Sequence, residues 1–558
     1  MHYNLVKASN RRYLEELKNR GHEMKPVYDA VNIMQETEWV INKPIYEVIL
    51  SLINTDSSLG HLPTNPQEIE LPVKPVDIET NKESLVKWKR EASLVYKERA
   101  KSKSKYIQVR QIIEEARLLL DRSFFYPYQL DFRGRIYPKP AMLSPQGADY
   151  SRALIKFKYG KQMKENNSFD DFAIAGAGLY GEVDKEDIQT RLDWVKDRLD
   201  TFIGYAKEPL TNTDWAKADK PFCFLAWCFE LKDFAETDYD ASFITTLPIQ
   251  SDCSNSGLQH YSAMMRDEIG GKATNLIPSN KPEDVYRIVA QKVIMKLRDK
   301  TDPMAKQWLD YGIDRKLCKK PVMCLPYSLT QYSCRQYIQD HVEKEFKEKE
   351  KLHNFGKDLF KATNYLTPIV WESINDVIVG AKEIMGFLKK VSRLVASENL
   401  PVCWTTPKPL NFPVQMMCYK KESKRVKTKM GDSIIKLSIQ SDTDEIDKRK
   451  TAQSICPNLI HSLDASCLML AVIKAKDKGV TNFSLIHDSF GCVAPDVHKL
   501  SEAIREAFCE VYEQDVLTNW AMEMKQMLSD KNAKKFPHIP ERGNLDLSLV
   551  KQSIFFCV

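Results

Sequence analysis

Two aspartates lie 236 positions apart in this chain, each in a segment that presents a carboxylate. Asp252 sits in Leu247-Pro-Ile-Gln-Ser-Asp-Cys-Ser-Asn-Ser-Gly-Leu-Gln-His260. Thr245 to Ser251 is β-prone and Ser256 to Arg266 has helical spacing, so Asp252 ends a strand just before a helix. An aspartate there can simply cap the helix, but Asn255 and Ser256 lie nearer the cap position. Asp488 sits in Ser484-Leu-Ile-His-Asp-Ser-Phe-Gly491, where apolar runs on both sides make His-Asp-Ser the tip of a tight hairpin. A turn aspartate commonly bonds its own backbone; the adjacent His487 and the apolar flanks favour a presented ligand. A fold that uses both carboxylates must bring these distant segments together.

Between them lies Arg315-x3-Lys319-x7-Tyr327, on a helix predicted to start near Asp314. Arg315 and Lys319 are four apart and stack on one face. If the helix continues, Tyr327 falls about 80° round from Lys319. The alternative is an amphipathic helix with ordinary surface charges. Two carboxylates and a basic, phosphate-sized helix face are what two-metal phosphoryl transfer requires.

At 558 residues the chain is long enough for several subdomains. A net charge of only +6 says little about nucleic acid, so any such contact must come from local clusters. The 13 cysteines include no Cys-x-x-Cys pair, which argues against a thiolate zinc site and a disulfide framework. They read as buried free thiols in a reducing cytosol. The start lacks signal-peptide and transit-peptide features, and no uncharged apolar run approaches the roughly 20 residues of a membrane span.

Residues 1 to 50 read mostly as helix, 54 to 81 as an irregular connection, and 83 to 122 as a long, lysine-rich helix with interleaved aromatics. That helix is either a solvated surface helix or a nucleic-acid contact. Tyr126-Pro-Tyr-Gln-Leu-Asp-Phe-Arg-Gly-Arg-Ile-Tyr137 reads as strand–turn–strand, with Arg133 and Arg135 sharing a face if extended. Residues 281 to 400 are largely helical. From Val414 a basic β-ribbon is expected, with Lys424, Arg425 and Lys427 on its first strand, a turn at Met430-Gly-Asp432 and a return over Ser433 to Gln440. Such a ribbon can enter a DNA groove.

These segments together resemble the single-subunit, phage-type RNA polymerases, relatives of the mitochondrial enzymes, from about Val27 to the last residue. Asp-Phe-Arg-Gly-Arg at 131 to 135 resembles the family's template-contacting segment. Asp252-x-Ser254-x-Ser256-Gly-x-Gln259-His260 resembles its first catalytic motif, Arg315 to Tyr327 its finger helix, and His487-Asp488-Ser489 its third motif. Asn458-Leu-Ile-His461 resembles the segment that places a histidine near the ribose, and Lys185 matches a lysine reaching the incoming triphosphate.

The resemblance implies an α+β, predominantly helical right-hand polymerase with an antiparallel palm sheet. It divides the chain into an N-terminal remnant and linker (1–80), a thumb (81–125), a palm with an inserted helical segment (126–312), fingers including the ribbon 414–440 (313–455), and a returning palm segment (456–558). It implies two Mg²⁺ on Asp252 and Asp488, with the backbone carbonyl of Cys253 completing one shell. Lys319, Tyr327 and His461 join the catalytic set; Arg315, Lys185, Tyr286 and His487 take substrate; Arg133, Arg135, Lys424, Arg425 and Lys427 take nucleic acid.

The implied partners are a DNA template, an RNA product and ribonucleoside triphosphates, with no membrane, in the cytoplasm of a phage-infected bacterium. The family's large N-terminal domain has no counterpart before Val27, which implies an accessory protein or second subunit for promoter recognition or melting. Ser328 stands where the family has glycine after the tyrosine, which bears on how Tyr327 is seated. The competing readings are a family A DNA polymerase, which the Tyr327–His461 ribose pair argues against, and a primase-like activity, which also uses ribonucleotides and stays open at this point. A degenerate nucleic-acid-binding protein would have lost a carboxylate or a helix cation, and none is lost.

Overall fold

The carboxylates meet on a three-stranded antiparallel sheet, ordered Ser484–Ile486, Ser489–Cys492, Ile249–Asp252. Ser489 pairs opposite Asp252 and Cys492 opposite Ile249. A computed structural model describes residues 4–65, 70–164, 167–349, 355, 358–431 and 433–557. The fold is α+β and mostly helical, and every pairing between its named strands is antiparallel.

Strands of three or four residues are marginal on their own, so helices must hold this sheet. Ser256–Met265, which follows Asp252 directly, is buried along its whole length. Behind it runs the 30-residue helix Lys448–Asp477, with Ile455, Leu459, Leu463, Met469 and Val472 in the core. That helix is long and apolar enough by composition to cross a membrane, but 89% of its apolar window is buried inside the protein. It is the core helix of this fold, and the contiguous burial explains its missing amphipathic stripe.

The N-terminal region departs from the expected run of helix. Helix Lys25–Gln35 buries Val27, Ala30, Val31 and Met34, but Glu38–Ile41 is a strand between Phe124–Phe125 and Ile155–Phe157. Trp39 and Ile41 alternate inward, the period-two pattern of a half-buried strand. The lysine-rich segment forms one helix, Lys82–Leu119, capped by the Asn81 side chain. Its last turns bury Val109, Ile112, Ile113 and Ala116, so it is anchored at one end while its lysines stand in solvent.

The ribbon is shifted from its expected bounds. Pro413–Met416 pairs with Val402–Thr405, and the ribbon runs Tyr419–Met430 against Ser433–Ile446. Asp432 of the expected turn lies outside the described residues. Arg425 (opposite Ser438) and Lys427 (opposite Lys436) share one face, and Lys424 (opposite Ile439) lies on the other. The reading of all cysteines as free is also corrected. Cys253 and Cys557 are joined as a disulfide across 304 positions, because the C-terminal segment forms an antiparallel bridge with Cys253. Local spacing cannot reveal a pair so far apart.

Candidate active site

Asp252 ends its strand with an exposed side chain, and Asp488 occupies the exposed second position of the two-residue turn between the other strands. His487 before it takes a left-handed φ of 53°, a turn geometry that fits the right-handed strand twist. The Cys253 N–H donates to the Asp488 carbonyl at 3.1 Å, tying the two carboxylate-bearing segments together by their backbones. Asn255, expected as a helix cap, makes no side-chain cap bond; its φ is 60° and its side-chain amide is buried without a partner.

The two carboxylates are not alike. Desolvation pushes Asp488 above the ordinary carboxylate range, and the negative charge of Asp252 adds to this. Desolvation acts on Asp252 too, but the Lys220 ammonium and the Ser489 hydroxyl more than offset it and hold it low. Two hard oxygen donors under mutual repulsion form a donor set that suits a divalent cation such as Mg²⁺ completed by substrate oxygens. Among the described residues no group of three or more His, Cys, Asp or Glu offers a closed protein-only site.

The cationic helix is Arg315–Cys324, capped by Asp314. It ends sooner than its spacing suggests. Pro326 has no N–H, and the chain tightens into a 3₁₀ turn, Leu325–Tyr327. Tyr327 therefore does not occupy the 80° position; the turn carries it to His461, with ring centroids 5.1 Å apart. Ser328 adopts φ 67°, the left-handed conformation that glycine takes freely, so the replacement keeps the turn at a steric cost of about 1 kcal/mol. Gly257 makes room: a Cβ there would lie 3.1 Å from the Tyr327 hydroxyl.

Arg315 is held by the Asp284 carboxylate and lies 5.2 Å from the centre of the Tyr286 ring. Burial pushes the Tyr286 hydroxyl up to about 12, with Asp284 and Asp488 among the charges acting on it. Lys319 is held below the usual lysine range by desolvation, then by the charges of Arg315 and Lys185. Lys185 itself pairs with Asp184 at 2.8 Å. Three cations thus converge without full neutralisation, which suits an anion with several charges.

Arg133 and Arg135 lie in a turn, not on a strand face. Asp131 accepts from the N–H groups of both, and Gly134 supplies the required φ of 92°. Arg133 donates to His461 Nδ1 at 2.6 Å and is bound by Asp131. Arg135 grips Asp464 through two bonds of 3.1 and 2.5 Å. Burial, then Arg135 and Arg133, lowers His461 to about 2, so it is neutral and accepts from Arg133. Burial raises Asp464 to about 6 against the pull of Arg135. His487 is lowered to about 4, mainly by burial, and stacks edge-on against Tyr137 at 4.8 Å.

Twelve of the residues singled out in sequence are thus linked by contacts or charge interactions into one site, while Lys424, Arg425 and Lys427 stand on the exposed ribbon. Three participants were not singled out in sequence. Asp284 is the N-cap of Val285–Arg298, and Lys220 is a single lysine before a helix, so neither stands out locally. Asp464 alone offers a signal, as the one carboxylate in the apolar run Leu463 to Val472.

The DNA-dependent RNA polymerase family matches residues 162–535. The chain belongs to that family. It is 34% identical to the DNA-directed RNA polymerase of Enterobacteria phage T3 over 95% of this chain, and 33% identical to T7 RNA polymerase of Escherichia phage T7 over the same share. The chain spans 64% of the length of each. It is also 33% identical to the chloroplastic/mitochondrial DNA-directed RNA polymerase 2 of Arabidopsis thaliana, over 96% of this chain and 52% of that one. The polymerase family match covers the three cations, both aspartates and His461.

Proposed function

We propose that this chain is a DNA-dependent RNA polymerase: it adds ribonucleotides to an RNA 3′ end on a DNA template. The observation that carries the reading is the meeting of Asp252, at the end of one strand, with Asp488, in the turn that leads into the neighbouring strand, beside the cationic face of Arg315–Cys324. Asp252, Asp488 and the Cys253 main chain would hold two Mg²⁺. When bound, these ions supply the charge that activates a 3′-hydroxyl and neutralises a leaving pyrophosphate. Arg315, Lys319 and Lys185 hold the triphosphate. The Asp284 and Tyr286 contacts fix the Arg315 guanidinium before substrate arrives, so little order is lost on binding.

Tyr327 and neutral His461 test the ribose. A hydroxyl and a ring nitrogen left unpaired by a deoxyribose make that sugar the poorer substrate. Arg133 and Arg135, with Asp131 and Asp464, hold this pair in place and keep remaining guanidinium edges for the nucleic-acid backbone. In this reading the three-stranded sheet is the palm, Lys82–Leu119 the thumb, and the helices from Arg315 the fingers. The ribbon's Arg425 and Lys427 follow a phosphate backbone from one face.

The test is extension of an RNA primer annealed to a DNA template by the purified chain. Addition of ribonucleotides that requires Mg²⁺, stops with chelator, and exceeds deoxyribonucleotide addition is the expected result. Preferential deoxyribonucleotide addition would make it a DNA polymerase. No addition with either sugar on a primed template would overturn the reading.

A further inference from the structure

One cation in the cleft has no part in this scheme. Lys220 precedes the helix Pro221–Ala235, and its ammonium lies 3.4 Å from the Asp252 carboxylate. Its backbone is pinned on both sides. The Lys220 N–H donates to Leu179 O at 3.1 Å, and its carbonyl accepts from Phe224 N–H at 2.9 Å. Asp149 accepts from the next two backbone amides, Phe222 at 2.7 Å and Cys223 at 3.2 Å. The base of this side chain is therefore fixed, while the side chain is 33% exposed on a flexible four-carbon stem.

Its place is bound to the triphosphate side of the cleft. Asp219 N–H donates to Tyr180 O, and Gly181 approaches so closely that a Cβ would meet the Asp219 carboxylate at 2.4 Å. The loop carrying Lys185 is thus fastened to the segment carrying Lys220. Lys319 senses the charges of Lys185, Asp184 and Asp219. Lys220 thus pairs with the Asp252 carboxylate from a segment that is tied to the loop carrying Lys185. An ammonium on that carboxylate and a divalent cation there repel each other, so they compete for Asp252.

We propose that Lys220 is a further residue of the reaction centre that exchanges partners: it is the counter-ion of Asp252 before substrate binds, gives way to the divalent cation, and then binds a phosphate oxygen of the nucleotide. This rests on the polymerase reading.

The experiment uses the full chain with Lys220→Met, Lys220→Gln and Lys220→Arg. Mn²⁺ affinity is measured by electron paramagnetic resonance without nucleotide, and KM and kcat for ribonucleotides on a primed template. Lys220→Met and Lys220→Gln should each bind Mn²⁺ roughly fivefold more tightly, since an opposing ion pair of this exposure is removed. Their KM should rise roughly tenfold, with kcat changed less, for loss of one charged bond to phosphate. Lys220→Arg should restore most of the KM.

Unchanged Mn²⁺ affinity or unchanged KM in Lys220→Gln overturns the proposal. Asp252→Asn in the same Mn²⁺ titration separates the two claims. If it loses Mn²⁺ binding while the Lys220 variants change nothing, only the exchange falls. If Asp252→Asn keeps full Mn²⁺ binding, the cation site on which both rest falls with it.

Discussion

The sheet bearing the two aspartates and the Tyr419–Ile446 ribbon use the same antiparallel pairing with opposite support. The sheet's strands have only three or four residues, yet Leu485, Phe490 and Cys492 are buried and the helices behind them are core elements. The ribbon's strands have 12 and 14 residues, and burial is confined to Ile446 at the base. One of its faces carries Lys421, Arg425, Lys427, Lys429 and Lys436; the other carries Val426, Met430, Leu437 and Ile439. A site that must hold charges at fixed separations is built from short strands under long-range restraint. A surface that follows a backbone by charge needs only a ladder and an anchor. Changes near the sheet should alter chemistry, and changes on the ribbon should alter grip.

Apart from the two aspartates themselves, Lys319→Ala should show the widest contrast. Loss of a preorganised cation at the developing charge should slow single-turnover addition by about 10²- to 10³-fold, with scaffold affinity nearly unchanged. A rate within about threefold of the parent at saturating nucleotide would move the triphosphate clamp elsewhere.

Asp464 tests the restraint itself. Its folded value of about 6 lies above the unfolded carboxylate value, so the protonated form is favoured in the fold. The associated stability is complete below the unfolded value, about pH 4, and is lost as pH rises through 6. Thermal melts from pH 4 to 7 should therefore show the parent losing up to about 3 kcal/mol relative to Asp464→Asn. Parallel curves for the two proteins would show that Asp464 is not strained by burial.

Tyr327→Phe should lower ribose-over-deoxyribose selectivity by about 10- to 100-fold while keeping most ribonucleotide addition. Competition between the two sugars on one scaffold measures it; unchanged selectivity would leave Tyr327 with only its ring contact to His461. The ribbon should give the smallest effect. Arg425→Ala with Lys427→Ala should weaken scaffold binding a few-fold and flatten its salt dependence by about one unit per lost phosphate contact. Lys424→Ala, on the other face, should do less. A loss of single-turnover rate from the ribbon changes would erase the division between the two regions.

The hairpin at Asp488, the strand end at Asp252 and the long helix Lys82–Leu119 were legible because turn chemistry, alternation and helical spacing are local. What stayed hidden depends on distant segments. Tyr327 left its predicted helix face because Pro326 and a 3₁₀ turn intervene, and its seat is made by His461 and Gly257. The partners of Arg133 and Arg135 lie more than 300 positions away, at His461 and Asp464. Glu38–Ile41 was absorbed into a helical reading because four alternating residues between two helices are too short to stand out. Cys253–Cys557 and Lys220–Asp252 have no sequence pattern at all.

The central claim is that Asp252 and Asp488 together form the cation-dependent reaction centre. Single-turnover ribonucleotide addition on a primed DNA scaffold, by the parent, Asp252→Asn and Asp488→Asn, tests it most directly. Each variant should lose about 10³-fold or more in rate while scaffold affinity and thermal midpoint stay close to the parent. Either variant adding nucleotides within tenfold of the parent rate would contradict the account.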